Sequence, residues 1–413
     1  MRRAVLRVLG LGAAAALAGT MATAFAANPI KIGMSMPQTG TLAGGGKAAL
    51  VALRMWVDDV NARGGLLGRQ VEFIAYDDQS SAATTPGIYT KLLEVDKVDL
   101  IIAPYATVPT APLMPLVKER GLLLMGNFSF QVNHTVKHDM WFNNAPWNDA
   151  SSWSDGFFAL GKKAGGKTVA FLASDQEFAQ NLANGAKGVA KKMGLKTVYE
   201  QNYPPSTVDF SSMVRAIRAS KADIVFVASY PNDSVAIVRA VREIGAGDSV
   251  KIIGGGMVGL QFTPIMESLG SALNGFVNFN TYVPGMKYPG IDAYFKRYQE
   301  RAVEAKVDPR GYYLPPYNYA IGQMLEQAIT ATKSLDHKKL AAYLRTHEMN
   351  TIVGPIRYDA TGERAKPSVI QIQFRGIVDK NLDQFRQPGK QVVLDPASMK
   401  TGELIAPFDK ARK

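Results

Sequence analysis

The chain has 413 residues, is 47% hydrophobic, carries a formal net charge of +12 and contains no cysteine. The length suggests two or three domains, and the missing cysteines exclude disulfides, thiol chemistry, Cys-based metal sites and a cysteine-linked lipid anchor. Apart from a small cluster in "DKARK" at the end, the basic residues are dispersed. The charge is therefore a bias toward anionic ligands or surfaces, not a nucleic-acid footprint, which concentrates in a stripe.

Residues 1–26 read as a secretory signal, with Arg2, Arg3 and Arg7, an apolar run from Val8 to Ala18, and Ala24-Phe25-Ala26 as an A-x-A cleavage site. "RRAVLR" also loosely resembles a twin-arginine export signal. The apolar run is too short for a stable span, and no later stretch approaches the roughly 18 apolar residues of a membrane helix. The expectation is an exported, soluble, unlipidated protein of the periplasm.

Apolar runs then alternate with helical patterns. The first block predicts a strand at Ile30–Met36, a helix from Lys47 to Asn61, "VEFIAY", a helix from Thr84 to Val95, "VDLIIA", a helix around Thr110 to Lys118, and "LLLM". A second block repeats the rhythm: "TVAFLA", a helix from Ala179 to Met193, "KTVYEQ", a helix from Phe210 to Ala219, "DIVFVA", a helix from Ser234 to Ile244, and "VKIIGG". Such alternation implies two parallel sheets, each covered by helices. "FVNFNTYV", Phe276 to Val283, reads as a crossing back to the first block, followed by helices near Ile291–Ala305 and Tyr317–Thr332. "GPIRYDATGERAKPSVIQIQFRG" reads as two strands around a polar turn, and the final thirty or so residues as irregular.

Several motifs invite chemistry, and most fail on spacing. "TGTLAGGGKAAL" lacks the first glycine of a phosphate-cradling G-x-x-x-x-G-K-[ST], where Thr41 stands, and its final hydroxyl, where Ala48 stands. What survives is a glycine-rich loop opening a helix, whose amides and positive dipole end suit an anion. "GGGMVG", Gly254 to Gly259, matches G-x-G-x-x-G but has no acidic residue about 20 positions on to hold a ribose. His134 and His138 in "HTVKHD" are four apart without an evident third ligand, and read as a surface loop. Asp77 and Asp78 in "YDDQSS" precede a helix and read as capping residues. No catalytic constellation emerges, and neither a metal nor a cofactor is called for.

Three ordered segments resemble the type I periplasmic binding proteins of branched-chain amino acid ABC transporters. They are "IKIGMSMPQTGTLAGGGKAALVALRMWVDDVNARGGLLGRQVEFIAYDDQS", "YPPSTVDFSSMVRAIRASKADIVFVASY" and "VGPIRYDATGE". The resemblance implies an α/β fold of two doubly wound parallel-sheet lobes joined by a three-segment hinge. The N-terminal lobe would hold residues 27–146 and 280–350, and the C-terminal lobe 147–279 and 351–413. A ligand would bind in the cleft between lobes, and closure would present the complex, as a monomer, to a membrane permease.

Carried over by residue, the family's ligand positions fall on Thr107, the hydroxyl that holds a carboxylate; on Phe128 and Phe130, in place of small residues and a hydroxyl; and on Gly45, in place of an aromatic. In the second lobe they fall on Phe178, in place of a tyrosine, and on Tyr230, which is retained. The acid that pairs with a ligand ammonium aligns with Gly256. Thr39 and Gly40 in the opening loop, with Tyr105 and Met257 as neighbours, complete the candidate set. Without that acid the expected ligand is a small carboxylate lacking an α-amino group, aromatic rather than aliphatic. The alternatives are a branched-chain or other amino acid, with Asp175 or Glu177 substituting for the missing acid; a sensor feeding a membrane receptor; and an exported two-lobed enzyme.

Overall fold

The computed structural model describes residues 28–412; the expected export signal lies outside them. The first sheet is parallel, in the order β2-β1-β3-β4-β5, from β1 (Ile30–Met36), β2 (Val71–Asp77), β3 (Leu100–Tyr105), β4 (Leu124–Asn127) and β5 (Trp141–Asn144). The second begins with β6 (Thr168–Ser174), β7 (Lys196–Tyr203), β8 (Ile224–Ser229), β9 (Ile252–Met257) and β10 (Val277–Asn280), all parallel to their neighbours in this set. After the hairpin β11 (Met349–Thr351) and β12 (Gly354–Ile356), the strands β13 (Ile370–Phe374) and β14 (Gln391–Asp395) add an antiparallel edge, for an order β14-β13-β10-β9-β8-β6-β7. Interior strands such as "IVFVAS" are buried along their whole length, as strands covered on both faces must be.

Two helices that follow β10 return to the first lobe. Leu314–Thr332 lies so close to Ala43–Ala62 that a Cβ on Gly322 would sit 2.1 Å from the Trp56 ring, and Trp56 Nε1 donates to Glu326 at 3.1 Å. Ile291–Glu304 is pinned to the same helix by Arg297–Asp59 at 2.5 Å and by Arg301–Asp58. The chain thus crosses between lobes after β5, after β10 and before β13, where the Ser368 amide donates to the Pro146 carbonyl.

The boundary expected between residues 350 and 351 is corrected. Residues 351–364 stay on the first lobe, where Tyr358 packs on Phe142 with ring centroids 5.1 Å apart and the Asn143 amide donates to the Gly362 carbonyl at 2.8 Å. Their physical role is to cover β5, which would otherwise be a bare sheet edge. The two strands expected around a polar turn also belong to different sheets: β12 pairs with β11, and β13 with β10 and β14. The tail expected to be irregular supplies β14. The pattern also passed over β5 and the helices Ala150–Lys163, Thr263–Leu269 and His337–Thr346.

Candidate functional site

The carboxyl ends of the parallel strands in both sheets converge on one small cavity between the lobes, as sites in open α/β sheets do. Its walls are Leu42, Tyr105, Ala106, Thr107, Phe128 and Tyr313 from the first lobe, Phe178, Tyr230 and Val258 from the second, and Trp147 and Trp153 from the first crossing and the helix after it. The space between these side chains is about 320 Å³, counting the part open to solvent, and the ring edges that project into it leave it narrow. A larger and more open groove runs along Ile291–Glu304. It is bounded by Tyr282, Pro284 and Gly285 just past β10, by Arg310 and Tyr312, and by Arg386 of the second lobe; its walls carry the exposed charges of Asp292, Lys296 and Glu300, unlike the mostly apolar lining of a small-ligand site.

The aromatic walls are interlocked, with Phe128, Phe130 and Tyr230 meeting their neighbours edge to face and the two tryptophans tilted against each other. Phe128 meets Trp147, Tyr313 and Tyr317 at centroid distances of 5.1, 5.0 and 4.9 Å, and is held at φ +56°, outside the usual range for such a side chain. Trp147 and Trp153 lie 4.3 Å apart, and Trp153 Nε1 donates to the Gly255 carbonyl at 3.1 Å. Phe178 meets Tyr230 at 5.6 Å and Phe130 at 5.9 Å. Phe130 is fully buried behind the cavity wall rather than part of it.

Four hydroxyls give this apolar space its polar groups. Thr107 Oγ1 accepts from the Phe130 amide at 2.9 Å, which leaves its own proton free to be aimed. Tyr230, 8% exposed, opens the helix Pro231–Ile244, and its hydroxyl is buried without a hydrogen-bond partner among the described residues. Burial, reinforced by the neighbouring Tyr105 and Glu177, pushes its phenol well above the ordinary range. Burial likewise raises Tyr105, whose polar neighbour is the Tyr313 hydroxyl. All three phenols are therefore neutral donors at physiological pH. No carboxylate, lysine, arginine or histidine lines the cavity.

Of the residues picked from sequence, Tyr105, Thr107, Phe128, Phe178 and Tyr230 come together here, with Phe130 behind them. Thr39 and Gly40 do not. They form an exposed turn tied to Asp77, which accepts from the Gln38 and Thr39 amides at 2.8 and 3.2 Å and from the Thr39 hydroxyl at 2.7 Å. Burial works to raise the Asp77 carboxyl, but the Thr39 hydroxyl and the amides of Gln79, Gln38 and Thr39 hold it below the usual range. The anion on this loop is thus the chain's own. Asp77 and Asp78 are loop fasteners, and neither side chain caps the helix Thr85–Glu94.

Gly45 opens no space, because a Cβ there would lie 2.7 Å from Leu314 and 3.0 Å from Phe262. Gly46 is present because the helix passes so near Pro37 that a Cβ would fall 2.0 Å from its carbonyl oxygen. Gly256 and Met257 are still inside β9. A Cβ on Gly256 would meet the Val227 carbonyl at 2.8 Å and Leu182 at 2.9 Å, within the second lobe, and Met257 is fully buried. The strand runs two residues further than the apolar pattern suggested, so the residue that reaches the cavity is Val258. Asp175 and Glu177 are exposed and outside the lining. His138 is buried, its Nε2 2.7 Å from the Leu122 carbonyl oxygen, rather than on a surface loop. Among the described residues no cluster of metal ligands occurs.

The sequence profile described as periplasmic binding protein matches residues 29–375. The chain belongs to this family. It is a type I periplasmic binding protein of the branched-chain amino acid transporter class, a family of solute-binding proteins rather than enzymes. The Leu/Ile/Val-binding protein of Escherichia coli K12 is 22% identical over 358 residues, covering 84% of this chain and 93% of that relative. The same fold occurs in a solute-binding protein of an R. palustris ABC transporter in complex with 4-hydroxybenzoate, at TM-score 0.76 and 18% identity, covering 91% of this chain and 97% of the other. It occurs again in a branched-chain amino acid transporter substrate-binding protein from Streptococcus pneumoniae in complex with isoleucine, at TM-score 0.73 and 18% identity, covering 89% and 100%. Solved members of the class thus hold both kinds of ligand that the sequence left in competition.

Proposed function

We propose that this binding protein captures a small aromatic carboxylate between its lobes in the periplasm and hands it to the permease of an ABC importer. The observation that carries the reading is the composition of the cavity wall: seven aromatic side chains, four hydroxyls and no acid. An α-amino acid would bring an ammonium into this space, and a buried charge without a partner costs several kcal/mol. A flat aromatic acid needs only donors for its carboxylate, and Thr107, Tyr105, Tyr230 and Tyr313 are donors. Ring-to-ring contacts add about 0.5–1.5 kcal/mol each beyond the area they bury. The R. palustris protein that holds 4-hydroxybenzoate supports the reading by fold alone.

Calorimetry with benzoate, 4-hydroxybenzoate, leucine, isoleucine, valine and phenylalanine tests it. Micromolar or tighter binding of an aromatic acid, with the amino acids silent, is the expected result. Tight binding of an amino acid with no response to the aromatic acids overturns it.

A further inference from the structure

The loop of residues 305–313, "AKVDPRGYY", belongs to the first lobe but has its polar groups on the second. Its root is held by Tyr298 on Ile291–Glu304, whose hydroxyl donates to the Asp308 carbonyl at 3.0 Å. Gly311, at φ +62°, passes so close to the Tyr298 ring that a Cβ would fall 2.2 Å from it. From this anchorage the Asp308 carboxylate reaches across the cleft. Oδ2 accepts from the Thr263 amide at 3.1 Å, and Oδ1 accepts from the Thr263 hydroxyl and from the loop's own Arg310 and Gly311 amides. Asp308, Thr263 and Arg310 are all buried. Arg310 makes a second crossing, donating from Nη2 to Asp383 on the second lobe at 2.5 Å. The loop ends on Tyr313, which lines the cavity and touches Phe128 of the first lobe and Phe262 of the second, at 5.0 and 5.4 Å.

We infer that this loop is an interlobe clasp, with Asp308 and Arg310 as positioning residues for ligand retention. Neither lines the cavity. They hold the second lobe against the first and fix Tyr313 in the cavity wall, so they favour the closed arrangement and slow ligand escape. Opening the cleft must break the Asp308–Thr263 and Arg310–Asp383 contacts together; the first is a buried charge-assisted hydrogen bond, the stronger kind, and the second, whose Asp383 side chain is exposed, adds less. Such a clasp acts on the open–closed equilibrium itself, which a ligand then shifts by its differential affinity.

The test alters only the second-lobe partners, leaving the loop intact: Thr263→Val combined with Asp383→Asn, with Thr263→Ser as the rescue. In small-angle scattering without ligand, the double variant is expected to have a larger radius of gyration than the wild type, and Thr263→Ser the wild-type value. Benzoate dissociation, followed by stopped flow, is expected to be about tenfold faster in the double variant and unchanged in Thr263→Ser. An equal radius in all three proteins, equal dissociation rates, or a serine variant that behaves like the double variant would each overturn the clasp. The ligand-free scattering result stands even if benzoate proves not to be the ligand, so failure of the clasp and failure of the ligand assignment are separable.

Discussion

Replacing Val258 by aspartate puts a carboxylate of nearly the same size into the cavity wall, beside Phe178 and Tyr230. If the bound ligand is itself an anion, the two charges would lie on the order of 5 Å apart in a space this small. At an effective dielectric constant of about 20 the repulsion is about 3 kcal/mol, more than a hundredfold in affinity. Val258→Asn, equally polar but uncharged, should lose much less. The introduced acid would be buried, which raises its pKa, so the loss should be largest near pH 8 and fade toward about pH 5.5 as it protonates. Isothermal calorimetry with benzoate at both pH values checks this, with circular dichroism to confirm folding. A folded Val258→Asp protein that binds benzoate as tightly as wild type at pH 8, or loses no more than Val258→Asn, refutes the anion assignment. Gly256→Asp makes an instructive contrast. It occupies the position where the family's acid was expected, but its side chain would press on the Val227 carbonyl and Leu182 within the lobe. It should lower stability by several kcal/mol instead of altering selectivity.

Two further outcomes follow from single side chains. Thr107→Val removes the hydroxyl offered to the ligand together with the acceptor for the Phe130 amide, and should weaken benzoate binding tenfold or more by calorimetry, while Thr107→Ser keeps both and stays near wild type. Glu363 is buried, and burial pushes its carboxyl up from 4.5 to about 8 despite donors from Asn143 and Trp141. Because the folded-state value is raised, its contribution is full below about pH 4.5 and is lost as the pH rises through about 8. Urea unfolding should therefore show stability falling across that window by up to about 1.4 kcal/mol per pH unit, and a slope unaltered in Glu363→Gln would refute it.

The alternation of apolar runs with helical patterns carried the two-sheet architecture, because covered parallel strands are apolar on both faces and their helices on one. Where an element is short or its apolar face is interrupted, that signal fades. β5 is four residues of "WFNN", and the helix Ala150–Lys163 shows only Trp153, Phe157, Phe158 and Leu160 as large apolar residues among small and polar ones. Both lie at the first crossing, so Trp147 and Trp153 were invisible as site residues although they form one wall. Tyr313 sits in a loop with no periodicity. The opening loop misled for another reason: glycines that permit close packing look the same in sequence as glycines that present amides to a ligand. Only the positions of Pro37, Leu314 and Asp77 separate the two. Thr107 and Tyr230 were legible because a residue just past a parallel strand end faces the cleft whatever the details of the loop.

The absence of a cation in the cavity wall bears on what kind of anion could be accommodated. Desolvating a carboxylate is expensive, and neutral hydroxyls recover less of that cost than a guanidinium would. A ligand held this way must gain the balance from its apolar part. A leucine side chain contributes about 1.5–3 kcal/mol on full burial, which is of the same order as the charge-assisted hydrogen bonds its carboxylate could make. Its unpaired ammonium would then consume most of the sum. An aromatic acid brings no second charge and adds ring contacts on several sides, since Phe128, Phe178, Trp147 and Trp153 come from different elements of both lobes. On the proposed reading, selectivity therefore lies mainly in the lack of a carboxylate to pair with an ammonium, and a single acid placed on that wall should change the ligand preference more than any change in ring size.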